Sequence, residues 1–324
     1  MTYRNLTFSL VLFLFTAAPL AVFGQTGTDT APDELFKLGN ESMNAGQVAK
    51  AIDYYKQCVE KRPDFKEAWY NLGIAYSRKK EFDKEIDAYE KAIQAKPEPY
   101  TKALYNLAIA YEDKGVNEKA IGNYKKVIAA EPKAVDARIN LGILYARTGD
   151  YDSAIEAYLK AIEQDGQVAD AYFNLGIAYG RKAGKTTDES SRTALIRKEI
   201  NAYGKAVEKN NKAHKAWYNM GIAHRKLVDS EKEIAAYLKA VEAKPEYPQA
   251  LFNLVLAYKD KKQYEQALKH AEKYVSVAES LTSEKKHLKT VKELLSALKA
   301  GSEQKTPPPT APKKQTPPPT APKK

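Results

Sequence analysis

Residues 69–76 read Trp-Tyr-Asn-Leu-Gly-Ile-Ala-Tyr, and this stretch decides the fold because its centre returns along the chain. The returning unit is Asn, a long apolar residue and then, in five of the six copies, Gly or Ala. Its six asparagines are Asn71, Asn106, Asn140, Asn174, Asn219 and Asn253, at successive spacings of 35, 34, 34, 45 and 34 residues. A period of about 34 residues predicts stacked helix pairs, which present one long surface and no central crevice.

The residues around the first copy have the period of an amphipathic helix. Trp69, Leu72 and Tyr76 lie at positions i, i+3 and i+7, so they share one face of a helix with 3.6 residues per turn. Gly73 has no side chain and lets a partner helix approach closely. Pro97 is expected to end the second helix, because proline lacks the amide donor and disfavours helix in the preceding residue.

This unit resembles the tetratricopeptide repeat (TPR), whose first helix carries a large residue, Leu, Gly and Tyr. Tyr89 and Ala92 occupy the matching places on the second helix, and a weaker copy with Leu38 and Tyr55 precedes the first full one. The sequence therefore contains seven units over residues 33–280. The resemblance implies an all-α fold, a right-handed superhelical solenoid of seven TPR helix pairs followed by a C-terminal capping helix.

Two segments add to the regular repeats. The spacing of 45 places eleven extra residues in the fifth unit, at about residues 181–194, where we expect a loop or helix extensions at an edge of the array. Residues 281–300 are predicted to form the capping helix, whose polar outer face ends the stack. Its expected apolar face is Leu288, Val291, Leu294, Leu295 and Leu298.

Three glutamates stand where the other units have Ala near the start of the second helix: Glu85, Glu199 and Glu233. The favoured interpretation is that their stems pack between helices while their carboxylates reach the rim. The alternative is a set of buried ion pairs. The single cysteine, Cys58, is expected to be a small buried apolar residue.

The N-terminus predicts export. Arg4 precedes the apolar run from Leu6 to Phe15, and Val22-Phe-Gly24 fits a signal-peptidase site before Gln25. We assign residues 1–24 to a signal peptide and 25–32 to a linker, with an uncleaved anchor as the alternative. No other stretch is long and apolar enough to span a membrane, so no span is expected in the mature form. The expected location is the periplasm or cell envelope of a bacterium.

The net charge of +11 does not indicate a nucleic-acid protein. Arg4 and five lysines of the C-terminal tail account for six of the eleven charges, and the rest are dispersed among acidic residues. The tail, residues 301–324, is rich in Pro and Lys and contains Thr-Pro-Pro-Pro-Thr-Ala-Pro-Lys-Lys twice. One interpretation is a disordered solubilising tail; the other is a semi-rigid cationic arm that reaches an anionic envelope polymer or a proline-recognising partner.

Residue patterns of enzymes are missing. The four histidines show no metal-ligand spacing, and Cys58 has no evident partner base. Residues 180–186 resemble a phosphate loop, but only three residues separate the two glycines where that motif needs four, and a helix precedes them. We therefore predict no catalytic residues, no metal and no cofactor.

The candidate site is a row of asparagines on the first helices. A carboxamide both donates and accepts hydrogen bonds, so a regular row can bind an extended peptide backbone whatever its side chains. This row resembles the groove of O-linked N-acetylglucosamine transferases, whose catalytic domain has no counterpart here. The alternative is an interhelix contact. Besides the six asparagines, the predicted site contains Tyr70, Tyr105, Phe173, Tyr218, Arg147 and Arg181.

Together these features predict a scaffold or adaptor of the cell envelope that binds an extended protein segment in its concave groove. One rival is an envelope structural protein that acts through its tail. Another is a regulatory subunit of an envelope-modifying enzyme. The expected partner is a protein or peptide, with an anionic envelope polymer as a second candidate for the tail, and no nucleic acid.

Overall fold

A computed structural model describes residues 30–95 and 99–303. The predicted signal peptide, Pro97 and the repeats of the Pro/Lys tail lie outside these residues. Fourteen helices form seven successive pairs: α1 Pro32–Asn44 with α2 Val48–Lys61, α3 Lys66–Lys79 with α4 Phe82–Gln94, α5 Thr101–Asp113 with α6 Asn117–Ala130, α7 Val135–Thr148 with α8 Tyr151–Gln164, α9 Ala169–Lys185 with α10 Glu189–Lys209, α11 His214–Lys226 with α12 Ser230–Ala243, and α13 Pro248–Asp260 with α14 Tyr264–Ala278. A 3₁₀ turn, Thr282–Glu284, leads into α15, Lys285–Glu303.

Each helix packs mainly against the helices immediately before and after it in the chain. The described residues form no strands. The predicted fold class is confirmed: the chain is an all-α, superhelical solenoid of helix pairs closed by a C-terminal helix. None of the helices in the described ranges is long and apolar enough to cross a membrane.

One contact recurs in five of the seven pairs. The second helix carries a fully buried tyrosine, and in five pairs its ring lies against a glycine of the first helix. The pairs are Gly39 with Tyr55, Gly73 with Tyr89, Gly142 with Tyr158, Gly176 with Tyr203 and Gly221 with Tyr237. A methyl group on Gly142 would come within 2.6 Å of the Tyr158 ring. Glycine therefore sets the distance between the two helices of a repeat.

The extra residues of the fifth repeat lengthen both of its helices. α9 has 17 residues and α10 has 21, whereas the other helices of the repeats have 13 to 15. Ala183, on the extension of α9, and Ile196, directly after the extension of α10, are buried together with Ala223 of the next repeat. The extensions therefore add a small apolar cluster to the array. Asp188 caps α10 by accepting a hydrogen bond from the backbone of Ser191.

The last helix covers the end of the stack. Val291 is 1% exposed, and Leu288, Leu294 and Leu295 pack with it against residues of α13 and α14. At the entry to α15, the carboxylate of Glu284 accepts a hydrogen bond from the Tyr274 hydroxyl at 2.9 Å.

The three unusual glutamates do not reach the rim. Glu85, Glu199 and Glu233 are 3%, 3% and 5% exposed, so the favoured interpretation of their position is wrong. Two of them form the ion pairs of the alternative: Lys226 Nζ lies 2.9 Å from Glu199, and Arg225 Nε lies 3.9 Å from Glu233. A methyl group on Gly180 would collide with the Glu199 carboxylate, so this glycine makes room for the buried acid.

Candidate functional site

The six asparagines lie on the first helices of repeats two to seven, and all six are half-buried. Each directly follows an aromatic residue or isoleucine of the same helix: Tyr70, Tyr105, Ile139, Phe173, Tyr218 and Phe252. We call the surface formed by these twelve residues the ladder surface. Because the helices stack in register, it crosses the array one repeat at a time.

Several asparagines are bonded to the neighbouring repeat. Asn106 donates its amide hydrogen to the Tyr70 hydroxyl at 3.1 Å, and Asn140 donates to the Tyr105 hydroxyl at 2.7 Å. Asn253 donates to the Tyr218 hydroxyl at 3.5 Å. We call each of these contacts an Asn–Tyr bridge. The bridges join the first helices of successive repeats, so the predicted binding residues also hold the array together.

A bridge leaves hydrogen-bonding groups for a ligand. Burial raises the pKa of Tyr70, Tyr105 and Tyr218, and the asparagine hydrogen bond lowers it by less. The hydroxyls therefore keep their protons at neutral pH. Since each hydroxyl accepts from an amide, its own hydrogen remains a donor, while the asparagine oxygen remains an acceptor. These are the two groups that pair with a peptide carbonyl and a peptide N–H.

The row of bridges is interrupted in the middle. Ile139 and Phe173 replace the accepting tyrosine, so Asn174 and Asn219 have no hydroxyl at that position of the preceding first helix. Asn219 still lies against the hydroxyl of Tyr203, whose pKa is raised by burial and is lowered to a lesser degree by this hydrogen bond. Among the described residues, Asn174 has no hydrogen-bond partner for its side chain. Both its amide donor and its carbonyl acceptor are therefore unpaired within that part of the chain.

At the N-terminal end, the first repeat has Lys37 at the position of Asn71 and supplies an asparagine, Asn40, three positions later in the repeat. Asn40 Oδ1 accepts hydrogen bonds from Asn71 and from the Tyr55 hydroxyl, each at 2.7 Å. Asn71 therefore packs against the first repeat and differs from Asn174.

The aromatic members of the ladder surface lie against the buried tyrosines of their own repeats. Ring centroids are 5.8 Å apart for Tyr105 and Tyr124, and 5.9 Å apart for Phe173 and Tyr203. Ile139 is buried at 7% exposure, whereas the other five such residues are half-buried. The ladder surface is thus a partly exposed apolar floor with polar groups at regular intervals.

Two aromatic residues of this floor were missed in the sequence. Tyr100 and Tyr247 precede α5 and α13, and their rings lie 5.3 and 5.2 Å from Tyr70 and Tyr218. They fall in the loops between repeats, outside the recurring unit. The signal was available in the spacing, because each stands 30 or 29 residues after the tyrosine that it contacts.

The two predicted cations differ in their surroundings. Arg147 Nη1 lies 2.9 Å from Glu112, and its second amino group donates to Asn117 at 3.2 Å. Arg147 therefore already links two repeats in the ligand-free protein. Arg181 is exposed and forms no ion pair with the described residues. It is the better placed of the two to attract an acidic ligand.

The described residues also contain potential metal-ligating side chains and a single free thiol. Within residues 30–95 and 99–303, no group of three or more His, Cys, Asp or Glu side chains could hold a metal ion. Cys58 is buried, contacts the carbonyl oxygen of Pro32 at 3.1 Å, and has its pKa raised to about 11 by burial. Its thiol is protonated at neutral pH and is a poor nucleophile.

Family comparisons agree with this architecture. One model described as tetratricopeptide repeat matches residues 36–98, 105–169, 148–183 and 200–248. A second model with the same description matches residues 248–281. Together they span more than half of the chain. Among curated proteins, none matches this sequence.

Two similar solved structures have the same fold, and a third is similar in sequence over half of the chain. The C-terminal part of a TPR repeat-containing protein from Cytophaga hutchinsonii is 14% identical, with a TM-score of 0.64 over 76% of this chain and 97% of its own. A tetratricopeptide repeat protein from Parabacteroides merdae is 16% identical, with a TM-score of 0.55 over 83% of this chain and 98% of its own. MamA is 29% identical, with a TM-score of 0.47 over 53% of this chain and 95% of its own.

Proposed function

Because the chain belongs to the tetratricopeptide repeat family, we propose that it is a non-catalytic scaffold that binds an extended segment of another protein along the ladder surface. In this family the first helices line the concave side. The ladder surface offers an aromatic floor and alternating donors and acceptors, which suit a ligand that is recognised mainly through its backbone.

The observation that carries this proposal is the half-buried carboxamide of Asn174, which has no hydrogen-bond partner in the described part of the chain. An asparagine that served only to join repeats would be bonded to its neighbour, as Asn140 is. Asn174 has the same place in its repeat and lacks such a bond among the described residues. Phe173 lies beside it as a half-buried apolar contact. The centre of the array is therefore where we place the ligand backbone.

The test compares these two asparagines. A ligand is first selected from a phage-displayed peptide library, and its affinity is then measured by calorimetric titration. Asn174→Ala should weaken binding about twofold to tenfold, the effect of one hydrogen bond worth about 0.5–1.5 kcal/mol, and should leave the melting temperature unchanged. Asn140→Ala should lower the free energy of unfolding by about 1 kcal/mol, because it also removes an Asn–Tyr bridge.

The two variants are expected to differ because the Asn140 amide is already bonded in the free protein, where it donates to Tyr105. The proposal fails if Asn174→Ala binds the selected peptide as tightly as the natural chain does. It also fails if no substitution on the ladder surface changes the affinity for the selected peptide.

We also propose that the protein acts outside the cytoplasm, in the periplasm or cell envelope. The support is the sequence of residues 1–24, with its positive start, apolar run and small residue at Gly24. Mass spectrometry of protein from a fractionated bacterial host should find a chain that begins at Gln25 in the periplasmic fraction. A chain that retains Met1 in the membrane fraction would support the uncleaved anchor instead.

A further inference from the structure

A second cleft lies away from the ladder surface, between the second helices of repeats four and five. Its volume is about 390 Å³. α8 contributes Leu159, α9 forms the floor with Tyr172 and Tyr179, and α10 contributes Arg197 and Lys198. The lining is thus apolar at the floor and cationic at one rim.

The equivalent positions between repeats two and three can be compared with this cleft. Between repeats two and three, the corresponding residues are Glu90, Tyr111 and Lys119. The Tyr111 hydroxyl donates to Glu90, and Lys119 Nζ lies 3.4 Å from the same hydroxyl and 5.0 Å from the centre of the ring. There an acid, a tyrosine and a lysine satisfy one another within the protein.

Repeats four and five keep the tyrosine and the lysine but lack the acid. Lys198 Nζ lies 5.8 Å from the centre of the Tyr179 ring, as its counterpart lies over Tyr111. Leu159 occupies the position of Glu90 and is 46% exposed, which is high for a large apolar side chain. Arg197 and Lys198 are exposed and form no ion pair with the described residues. The cleft therefore presents uncompensated positive charge next to an exposed apolar surface.

We propose that this cleft binds an acidic segment of a partner protein, in which a large apolar side chain stands next to a carboxylate. The apolar side chain lies on Leu159 and the tyrosine floor. The carboxylate takes the place that Glu90 has in the earlier repeat, where it meets Lys198 and Arg197. This second site is independent of the ladder surface, which lies on the first helices and recognises a peptide backbone.

The probe is a fluorescein-labelled decapeptide of alternating Glu and Ser with one central Phe, titrated by fluorescence anisotropy. We expect saturable binding that weakens at least tenfold when Phe is replaced by Ser. Leu159→Glu should weaken binding at least tenfold, because the new carboxylate reproduces the internal arrangement of Glu90 and occupies the cleft. Lys198→Gln should weaken it about fivefold, and Leu159→Ser provides a second variant if the first disturbs folding.

Leu238 provides the matched control. It stands at the same position of α12 and is 38% exposed, but the residue that corresponds to Lys198 is Gln266, which carries no charge. Leu238→Glu should change the affinity less than twofold, and so should Asn174→Ala, which tests only the ladder surface. Equal losses for Leu159→Glu and Leu238→Glu, or no saturable binding to the natural chain at millimolar peptide, would overturn the proposal.

Discussion

Replacing Gly142 by leucine is expected to lower the free energy of unfolding by about 3 kcal/mol. The reason is overpacking: even a methyl group at this position would lie 2.6 Å from the ring of Tyr158, which is 1% exposed and cannot move aside. The two helices of the fourth repeat would have to separate. Because each repeat contacts only its neighbours, this damage should also weaken the interfaces with repeats three and five.

The measurement is urea denaturation followed by circular dichroism at 222 nm. Gly204→Ala in α10 is the control, because a methyl group there meets no atom within 4 Å. That substitution should raise stability by about 0.5–1 kcal/mol, since alanine favours helix over glycine. A Gly142→Leu protein that unfolds at the same urea concentration as the natural chain would show that the Gly–Tyr contact does not set the helix spacing.

The fold was predictable from the sequence because it depends on a local pattern that is repeated many times. Leu72 and Gly73 determine the packing of one pair, and their counterparts do the same in each later pair. A departure from the pattern at one position does not hide the repeat, because the other units keep the same period. The capping helix was predictable for a similar reason, since its apolar face covers the last repeat.

The site was predictable only in part. The row of asparagines is evident in the sequence but their partners are not, because the tyrosine that Asn140 contacts lies 35 residues away in the chain. The difference between Asn140 and Asn174 depends on that distant residue, which is Tyr105 in one case and Ile139 in the other. A local motif contains no information about it.

The buried glutamates were misjudged for a related reason. A glutamate near the start of an exposed helix usually reaches water, and its burial is evident only when the facing residue is known. For Glu199 that residue is Gly180, whose missing side chain leaves room for the carboxylate, and Lys226 from the next repeat supplies the charge. Because the Glu199 carboxylate is buried beside Lys226, we expect a large loss of stability when Lys226 is replaced.

Replacing Lys226 by methionine is expected to destabilise the protein by about 2–3 kcal/mol at pH 7. Glu199 is 3% exposed, and the loss of its cation would leave an uncompensated carboxylate in the core. Removing one member of a fully buried pair costs about 3–5 kcal/mol, and the effect should be smaller here because the side chain of Lys226 is 36% exposed.

The loss should depend on pH in a defined direction. Burial raises the pKa of Glu199 above its value in the unfolded chain, and Lys226 opposes that rise. Between the two pKa values the folded protein binds more protons than the unfolded chain, so stability increases as pH falls. Without Lys226 the folded pKa rises further and the interval widens. The Lys226→Met protein should therefore regain part of its stability between pH 7 and pH 5, as measured by urea denaturation at each pH.

A triple variant provides the control for this mechanism. Gly180→Ala, Glu199→Ala and Lys226→Met together restore the small residue found at Ala51, Ala120, Ala154 and Ala267, fill the space left by the carboxylate and remove both charges. Replacing a buried ion pair by apolar groups is often neutral or stabilising, so this protein should be about as stable as the natural chain at pH 7. It should also lack the additional pH dependence of Lys226→Met, because the titrating group is absent. If Lys226→Met instead has the stability and pH dependence of the natural chain, then the Glu199 carboxylate is solvated and the ion pair contributes little to the fifth repeat.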